Sequence, residues 1–572
     1  MVAGAWPALT WLRTYRNAAF VVLCIAFAAT HFLALFTDAF NWDEFALLHR
    51  AQHAVLTGEL QTGGRPGLGV IVLIPFVDGC EHHTKVLVAA RMVWCLITLS
   101  LVAGAFELFR RATRSWHAAL LGVAAFALVP LFLRWSLQVR TDQPAVALAM
   151  WSGVALLVSR DRARWSIVAG LLLGIGYLFS QKAVYIGALV GLVAVGQHYI
   201  AEDFQWRREL KRAAGLGVGV LVAIGLYRVV VPLVYSPPRA VSLEVGLDLF
   251  KWYKAVLRYR LYPSMLTSVL PQLGLLVLVF VAALRSFRQR TKERRSLLVA
   301  LAVMLLGYAI GRFHTASFPY FWITIGVFPA TAITFGWKGV RAMLPRASSW
   351  IAGAAAILMV LLAIRYRAET LHDTQTVQRD SFAFVEQLPR GWRGFHTDGA
   401  LVCRNDPAPF KVYLGQDIQR RLFGAGSAAR RREFISEFGS RPVAYLVRTQ
   451  RFSNFPEEIK KFWKTHYVAY AGPVELAGQS LEGTPGTVIS IEIIVAGAYR
   501  WHSQLPITVD GRHVAANGTV DLAAGAHRVT LVSGADGESL VLAVPMPPRP
   551  SDTPFYAKIL WGELSGLRRD WW

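Results

Sequence analysis

The sequence predicts a polytopic α-helical membrane protein that ends in a folded region outside the lipid. Three observations carry this. Of the 572 residues, 54% are hydrophobic and only 17% charged. Mean hydropathy is +0.40. The apolar residues are gathered into runs near the length, about 20 residues, that a helix needs to cross a hydrocarbon core of about 30 Å. The formal charge of +24, from 60 Lys and Arg against 36 Asp and Glu, would suit nucleic acid if the bases formed one surface. They fall instead in short clusters between the apolar runs, as in loops between membrane spans, so no nucleic-acid partner is expected. An aromatic share of 12% excludes disorder, and four cysteines (Cys24, Cys80, Cys95 and Cys403) are too few for a disulfide scaffold. Cys24 and Cys95 lie within apolar runs, where a thiol packs as a small hydrophobe.

About eleven spans are predicted, near residues 18–36, 86–108, 117–134, 144–159, 165–180, 184–200, 214–234, 264–284, 297–312, 319–337 and 349–365. The first is followed by Thr37-Asp38 and large aromatics instead of a small-residue cleavage site, so it is expected to stay as an anchor. Cytoplasmic connections should hold the excess of Lys and Arg. Arg13 and Arg16, the 110–114 and 160–164 clusters, the 207–212 and 285–295 runs, and Lys338, Arg341 and Arg346 all fall on one side. The N-terminus is therefore expected in the cytoplasm, in a cytoplasmic (inner) membrane. An odd number of spans then places everything after residue 365 outside.

That tail changes character. Residues 366–478 alternate strand-like pieces (410–414, 443–447, 467–471) with helical ones (428–438, 457–463), the pattern of a small α/β domain. A linker is expected at 478–486. Residues 487–572 then show period-two runs at 488–493, 507–509, 520–522, 528–531 and 539–542, with Asp510-Gly511 closing a hairpin, which predicts a β-sandwich module. Residues 1–365 form the transmembrane catalytic domain in this division.

The candidate chemistry sits at the outer ends of the spans. The first outer loop contains Asn41-Trp42-Asp43-Glu44 and then Gly63-Gly64-Arg65-Pro66-Gly67. A charge at bilayer centre costs about 2.5–3.5 kcal/mol on insertion scales, so Asp43 and Glu44 should occupy water or a polar cavity. Adjacent helical positions point about 100° apart, so at most one carboxylate would face a substrate. A solvated helix N-terminus, which favours acids, is the competing reading. Other outer connections supply Arg140-Thr141-Asp142 before Gln143-Pro144, Lys182, Arg258 and Arg260 among aromatics, and Arg312, His314 and Tyr320. Taken singly, these suit a helix cap, a snorkelling lysine or an interfacial helix. Together they make a basic bowl holding a few acids. Such a bowl would grip a phosphate at headgroup level beside a carboxylate able to accept a hydroxyl proton, which describes glycosyl transfer from a lipid phosphate.

In layout over residues 10–365, and in Asp43-Glu44, Arg65-Pro66, Ala90-Arg91, Arg140 to Asp142 and Lys182, the chain resembles the GT-C class of integral-membrane glycosyltransferases. Within it, bacterial lipid A aminoarabinose transferases and protein O-mannosyltransferases are the nearer likenesses. The resemblance implies a polyprenyl-phosphate sugar donor, an inverting displacement, and a hydroxyl acceptor on lipid, glycan or protein. Asp43 would be the general base, Glu44 would orient the site, and Asp142 would be a second acid near the acceptor. Arg65 and Lys182 would meet the donor phosphate, with Arg140, Arg258, Arg260, Arg312, His314 and Tyr320 as further donor-side positions. Arg65 stands where the family has a lysine before two prolines, and Gly67 replaces the second proline. No cofactor is required, and a divalent metal is not indicated.

Two rivals share the many spans. A transporter or flippase would want charges near the midplane and paired broken helices, whereas these gather at span ends. A polysaccharide ligase would want a larger middle outer loop than 235–263. Gly215, Gly217 and Gly219, and the pairs Gly170/Gly174 and Gly187/Gly191, read as helix-packing glycines and not as a nucleotide loop. His82 and His83 beside Glu81 and Cys80 lack the spacing of a defined zinc site.

Overall fold

The computed structural model describes residues 27–29, 31–60, 67–159, 163–236, 269–286, 291–313, 321–370, 375–396, 400–404, 428–440, 443–448, 452, 455–484, 486–503, 505–532 and 540–543. The predicted strand at 410–414 lies outside them, as do Cys24 and parts of the first and eighth predicted spans.

The segment between the first two predicted spans includes helix α1 (Trp42–Thr57) and two short turns, α2 (Leu68–Ile71) and α3 (Ile74–Val77). Then follow α4 (His83–Thr113), α5 (Trp116–Ala127), α6 (Pro130–Trp135), α7 (Asp142–Val158), α8 (Ala163–Phe179), α9 (Ala183–Ala201), α10 (Trp206–Val234), α11 (Leu270–Ser286), α12 (Lys292–Phe313), α13 (Trp322–Ile325), α14 (Val327–Met343) and α15 (Ser348–Thr370). Every predicted span from residue 86 onward falls on one or two of these. Five helices among the described residues are long and apolar enough to cross a membrane: α4, α9, α10, α12 and α15.

Two predicted spans are broken, 117–134 at Pro130 and 319–337 at Gly326. At Pro130 the missing N–H ends α5, and the fixed φ starts α6 after Val129 in extended geometry. The last span runs to Thr370, past the predicted boundary at 365. Glycines set the closest helix approach. A Cβ on Gly170 would stand 2.1 Å from Leu216 O, and one on Gly219 2.2 Å from Ile167 O, so α8 and α10 meet backbone to backbone. Beyond this contact the C-terminal half of α10 presents an exposed apolar face, with Leu221, Val229 and Leu233 among its outward residues.

The C-terminal region opens with α16 (Thr376–Gln387) and continues through β1 (Gly394–His396), α17 (Ala428–Ser440), β2 (Tyr445–Val447), α18 (Glu457–His466), β3 (Tyr467–Ala471), β4 (Val474–Leu481), β5 (Val488–Ile493), β6 (Gly497–His502), β7 (Ile507–Val509), β8 (Arg512–Val514), β9 (Thr519–Leu522), β10 (Gly525–Leu531) and β11 (Leu540–Ala543). Asp510 and Gly511 both adopt positive φ, as the two-residue hairpin between β7 and β8 requires.

One sheet runs β1-β2-β4-β11-β6-β9 with β3 also on β4, and a second runs β5-β10-β7-β8. Strand β4 joins the two expected domains. Its first half pairs with β2 and β3, and its second half pairs with β11, Gly478 opposite Ala543 and Leu481 opposite Leu540. The stretch expected as a linker at 478–486 therefore begins as strand. The inward residues of both sheets share one core with Phe395, Phe434 and Trp463. Gly478, the first residue of that expected linker, lies within a paired strand.

Helix α16 carries the junction with the membrane domain. Gln375 just before it, and Gln378, Phe382 and Glu386 on it, lie on one face at steps of three and four. Phe382 stacks on His83 at 5.2 Å, and Glu386 accepts from His82 Nδ1 at 3.0 Å and from the His83 backbone N–H at 2.8 Å. Burial raises the Glu386 carboxyl, but the hydrogen bonds from His83 and His82 outweigh it and hold the group at about 2. A disulfide between Cys80 and Cys403, Cα atoms 5.2 Å apart, crosses the same junction. Cys80 and the two histidines thus join the two parts.

Candidate active site

Helix α1 begins with a capping box. The Asn41 side chain accepts from the Asp43 N–H at 2.9 Å, and the Glu44 carboxylate reaches back to accept from the Asn41 N–H at 2.6 Å. That reciprocal bond fixes which way each acid points. Glu44 turns inward, fully buried, and meets Arg91 of α4, also fully buried, in a two-pronged pair with Nε to Oε1 at 2.8 Å and Nη2 to Oε2 at 2.7 Å. Glu44 also accepts from the Val139 N–H at 3.0 Å, and Arg91 donates to the carbonyls of Asp38 at 2.6 Å and Ala39 at 2.8 Å. This unit ties the acidic loop, the second span and the 138–142 turn into one piece.

Asp43, one position earlier, points toward that turn and remains 23% exposed, bonded to Arg140 Nη1. Arg140 is held in turn. Its carbonyl accepts from Trp94 Nε1 at 2.6 Å, and its guanidinium lies 5.7 Å from the Trp135 ring centroid. Two residues on, Asp142 starts α7, nearly buried, and accepts from Lys182 Nζ at 2.8 Å and from Ser180 Oγ at 3.0 Å. Lys182 precedes α9, with its ammonium 5.5 Å from the Phe321 ring centroid. Because Arg140 and Asp142 are two residues apart, their Cα atoms are at most about 7 Å from each other, so the two ion pairs are neighbours.

Four of the sequence candidates therefore converge: Asp43, Arg140, Asp142 and Lys182. Glu44 sits behind them with no access to solvent. Arg312 is exposed in the last turn of α12. Arg65, Arg258, Arg260, His314 and Tyr320 lie outside the described residues. Just after Arg65-Pro66, Gly67 donates its N–H to Tyr227 Oη at 2.8 Å. Gly69 faces Thr141 so closely that a Cβ there would stand 2.4 Å from the threonine methyl. The chain after Arg65 is thus packed on the turn that carries Arg140 and Asp142. Among the described residues, no three His, Cys, Asp or Glu side chains are grouped to hold a metal ion. Arg91 entered the sequence reading only through the Ala90-Arg91 motif, and Asn41 had no role there; the Asn-x-x-Glu capping pattern was the signal for the second.

The family model described as dolichyl-phosphate-mannose-protein mannosyltransferase matches residues 83–232. ArnT from Cupriavidus metallidurans bound to undecaprenyl phosphate superposes with a TM-score of 0.50 at 14% identity, over 75% of this chain and 93% of that one. The apo form of that protein gives 0.51 at 15% identity, over 80% and 96%. The fold is that of the GT-C glycosyltransferases. No curated protein sequence matches the chain. An oligosaccharyltransferase from Archaeoglobus fulgidus aligns more loosely, with a TM-score of 0.43 at 12% identity over 89% of this chain and 94% of that one.

Proposed function

We propose that the protein is an inverting glycosyltransferase that moves a sugar from a polyprenyl-phosphate donor to a hydroxyl acceptor, on a lipid, glycan or protein, at the outer face of the cytoplasmic membrane. The observation that carries this is the Asp43–Arg140 pair at a partly open surface, one turn from Asp142–Lys182. The GT-C fold supports it, as does the lipid phosphate bound in one of the similar structures.

Arg140 occupies Asp43. An arriving donor phosphate, a singly charged diester, competes for the guanidinium, because its two non-bridging oxygens match the guanidinium fork as a carboxylate does. Asp43 then stands as a carboxylate with its oxygens available. It takes the proton of the acceptor hydroxyl as that oxygen bonds to the anomeric carbon. The bond from that carbon to the phosphate oxygen breaks on the opposite face, and polyprenyl phosphate leaves with its charge met by Arg140 and Lys182. Proton removal of this kind contributes about 100-fold to 10,000-fold in rate. The leaving phosphate is already ionised, so the step does not oblige a metal. Arg65, Arg258, Arg260, Arg312, His314 and Tyr320 remain proposed donor-side positions.

The outer-face assignment is supported by the Cys80–Cys403 disulfide, since such bonds persist in oxidising compartments and both cysteines belong to segments expected outside. The test is release of polyprenyl phosphate from polyprenyl-phosphate sugars by purified protein in lipid nanodiscs. Replacement D43N is expected to abolish release and leave donor binding within a few-fold. Retained turnover in D43N would refute the assignment.

A further inference from the structure

The backbone that leads into Asp43 is held from two directions. Arg91 grips the carbonyls of Asp38 and Ala39 from the second span. From the C-terminal region, Gln375 Nε2 donates to the carbonyls of Leu35 at 2.9 Å and Asp38 at 3.1 Å. Gln378 closes on Phe40 itself: its Oε1 accepts from the Phe40 N–H at 2.7 Å, and its Nε2 donates to the Phe40 carbonyl at 3.1 Å. An N–H can only donate and a carbonyl can only accept, so both ends of the Gln378 amide are fixed by their partners. Gln375 and Gln378 are each 1% exposed.

Attachment of the two parts does not need this clamp. Further along α16, Phe382 packs edge-on against Phe45 at 6.0 Å, and Glu386 holds His82 and His83. The Cys80–Cys403 disulfide fastens the same junction covalently. A methionine at 378 would fill the same space without the desolvation cost of a buried amide. What the amide adds is direction, and it adds it at the peptide before the Asn41 cap, three residues from Asp43.

We infer that Gln378, backed by Gln375, is a positioning residue for sugar transfer: α16 of the C-terminal region sets the approach of the Asp43 carboxylate by clamping both polar groups of Phe40. This rests on the reading of Asp43 as the base. The clamp acts on kcat because a misplacement of about 1 Å costs up to about 100-fold in a reaction that depends on alignment, while the donor phosphate is held by other residues.

The experiment uses the full chain in nanodiscs. In Q378M, kcat is expected to fall 10-fold to 100-fold with donor KM within threefold. Q378E keeps the acceptor for the Phe40 N–H but loses the donor to its carbonyl, and should fall between Q378M and the unsubstituted enzyme. The Cys80–Cys403 bond, read by gel shift without reductant, should stay formed in both, showing that the region is still docked. A kcat within twofold in Q378M, or a loss that falls on KM, overturns the inference. If Q378M does not fold, Q378E alone decides by the same criterion. If the unsubstituted protein releases no polyprenyl phosphate from any donor, it is the reading of Asp43 that fails. The clamp is then judged by amide exchange of residues 40–44, which must accelerate in Q378M or Q378E, and unchanged exchange overturns it.

Discussion

Separating Arg91 from Glu44 tests whether the acidic loop is held as the geometry says. Both groups are fully buried, and four hydrogen bonds leave the guanidinium, two to Glu44 and two to the carbonyls of Asp38 and Ala39. In Arg91→Met the Glu44 carboxylate is left with only the Val139 and Asn41 N–H groups, and removal of one partner from such a buried pair costs about 3–5 kcal/mol. Against a total stability of about 5–15 kcal/mol for a domain, that is a large share. Glu44→Gln should cost a similar amount, because its amide turns donors toward the guanidinium. The double substitution removes both charges at once; the Asp38 carbonyl keeps Gln375, and the groups left unpartnered are the Ala39 carbonyl and one of the two N–H groups that the Glu44 oxygens served, at about 1–3 kcal/mol each. The double variant should therefore be no less stable than the worse single, with a coupling of about 2–3 kcal/mol in a double-mutant cycle. Thermal midpoints in detergent, read by size-exclusion fluorescence, give the ordering. Additive losses would show that the two side chains do not act as a unit and would refute the reasoning.

Two other outcomes follow from the same structure. Lys182→Met should raise donor KM at least tenfold, whereas Lys182→Arg should hold it within a few-fold; equal KM values for all three forms would remove Lys182 from the phosphate site. Glu475 on β4 is raised to about 7 by burial, only partly opposed by Arg448 at 3.0 Å. Its folded-state proton is bound more tightly than in the unfolded chain, so stability is full below about 4.5 and falls as pH rises toward 7, by roughly 3 kcal/mol at an ordinary conversion of pKa to free energy. Amide protection of β4, compared with Glu475→Gln at each pH, should show the unsubstituted protein weakening relative to the variant between pH 5 and 7; parallel behaviour would refute it.

The spans were legible because the apolar runs are long and the bilayer admits only one backbone solution for them. Strand β5 was legible from strict alternation and β3 as a short bounded apolar run, and their predicted limits match those observed. Strand β4 was not, because six of its eight residues are buried without a break and carry no period-two signal. The break at Pro130 was hidden by an apolar run that continues on both sides of it. In the site, Asp43, Arg140, Asp142 and Lys182 were visible as charges at span ends. The partner of each was not, since the pairs join residues 97 and 40 positions apart. Gln378 was invisible for a different reason: an uncharged side chain in an amphipathic helix gives no hint that it reaches a loop 338 residues away.

The neighbouring acids at 43 and 44 show how local backbone chemistry assigns chemical roles. A capping box takes the residue three places after the cap and bends its carboxylate back to the cap N–H, so Glu44 was bound to face the helix start and whatever packs there. What packs there is the second span, and Arg91 meets the buried charge. Asp43 is one step earlier and about 100° away, so the same box excludes it from that pocket and leaves it at the surface facing Arg140. Exchanging the two residue types would therefore not exchange the roles: an aspartate at 44 is one methylene too short to reach both the Asn41 N–H and Arg91, and a glutamate at 43 would overreach Arg140. The order Asp-Glu is set by the cap, and the chemistry proposed for Asp43 depends on a hydrogen bond made by its neighbour.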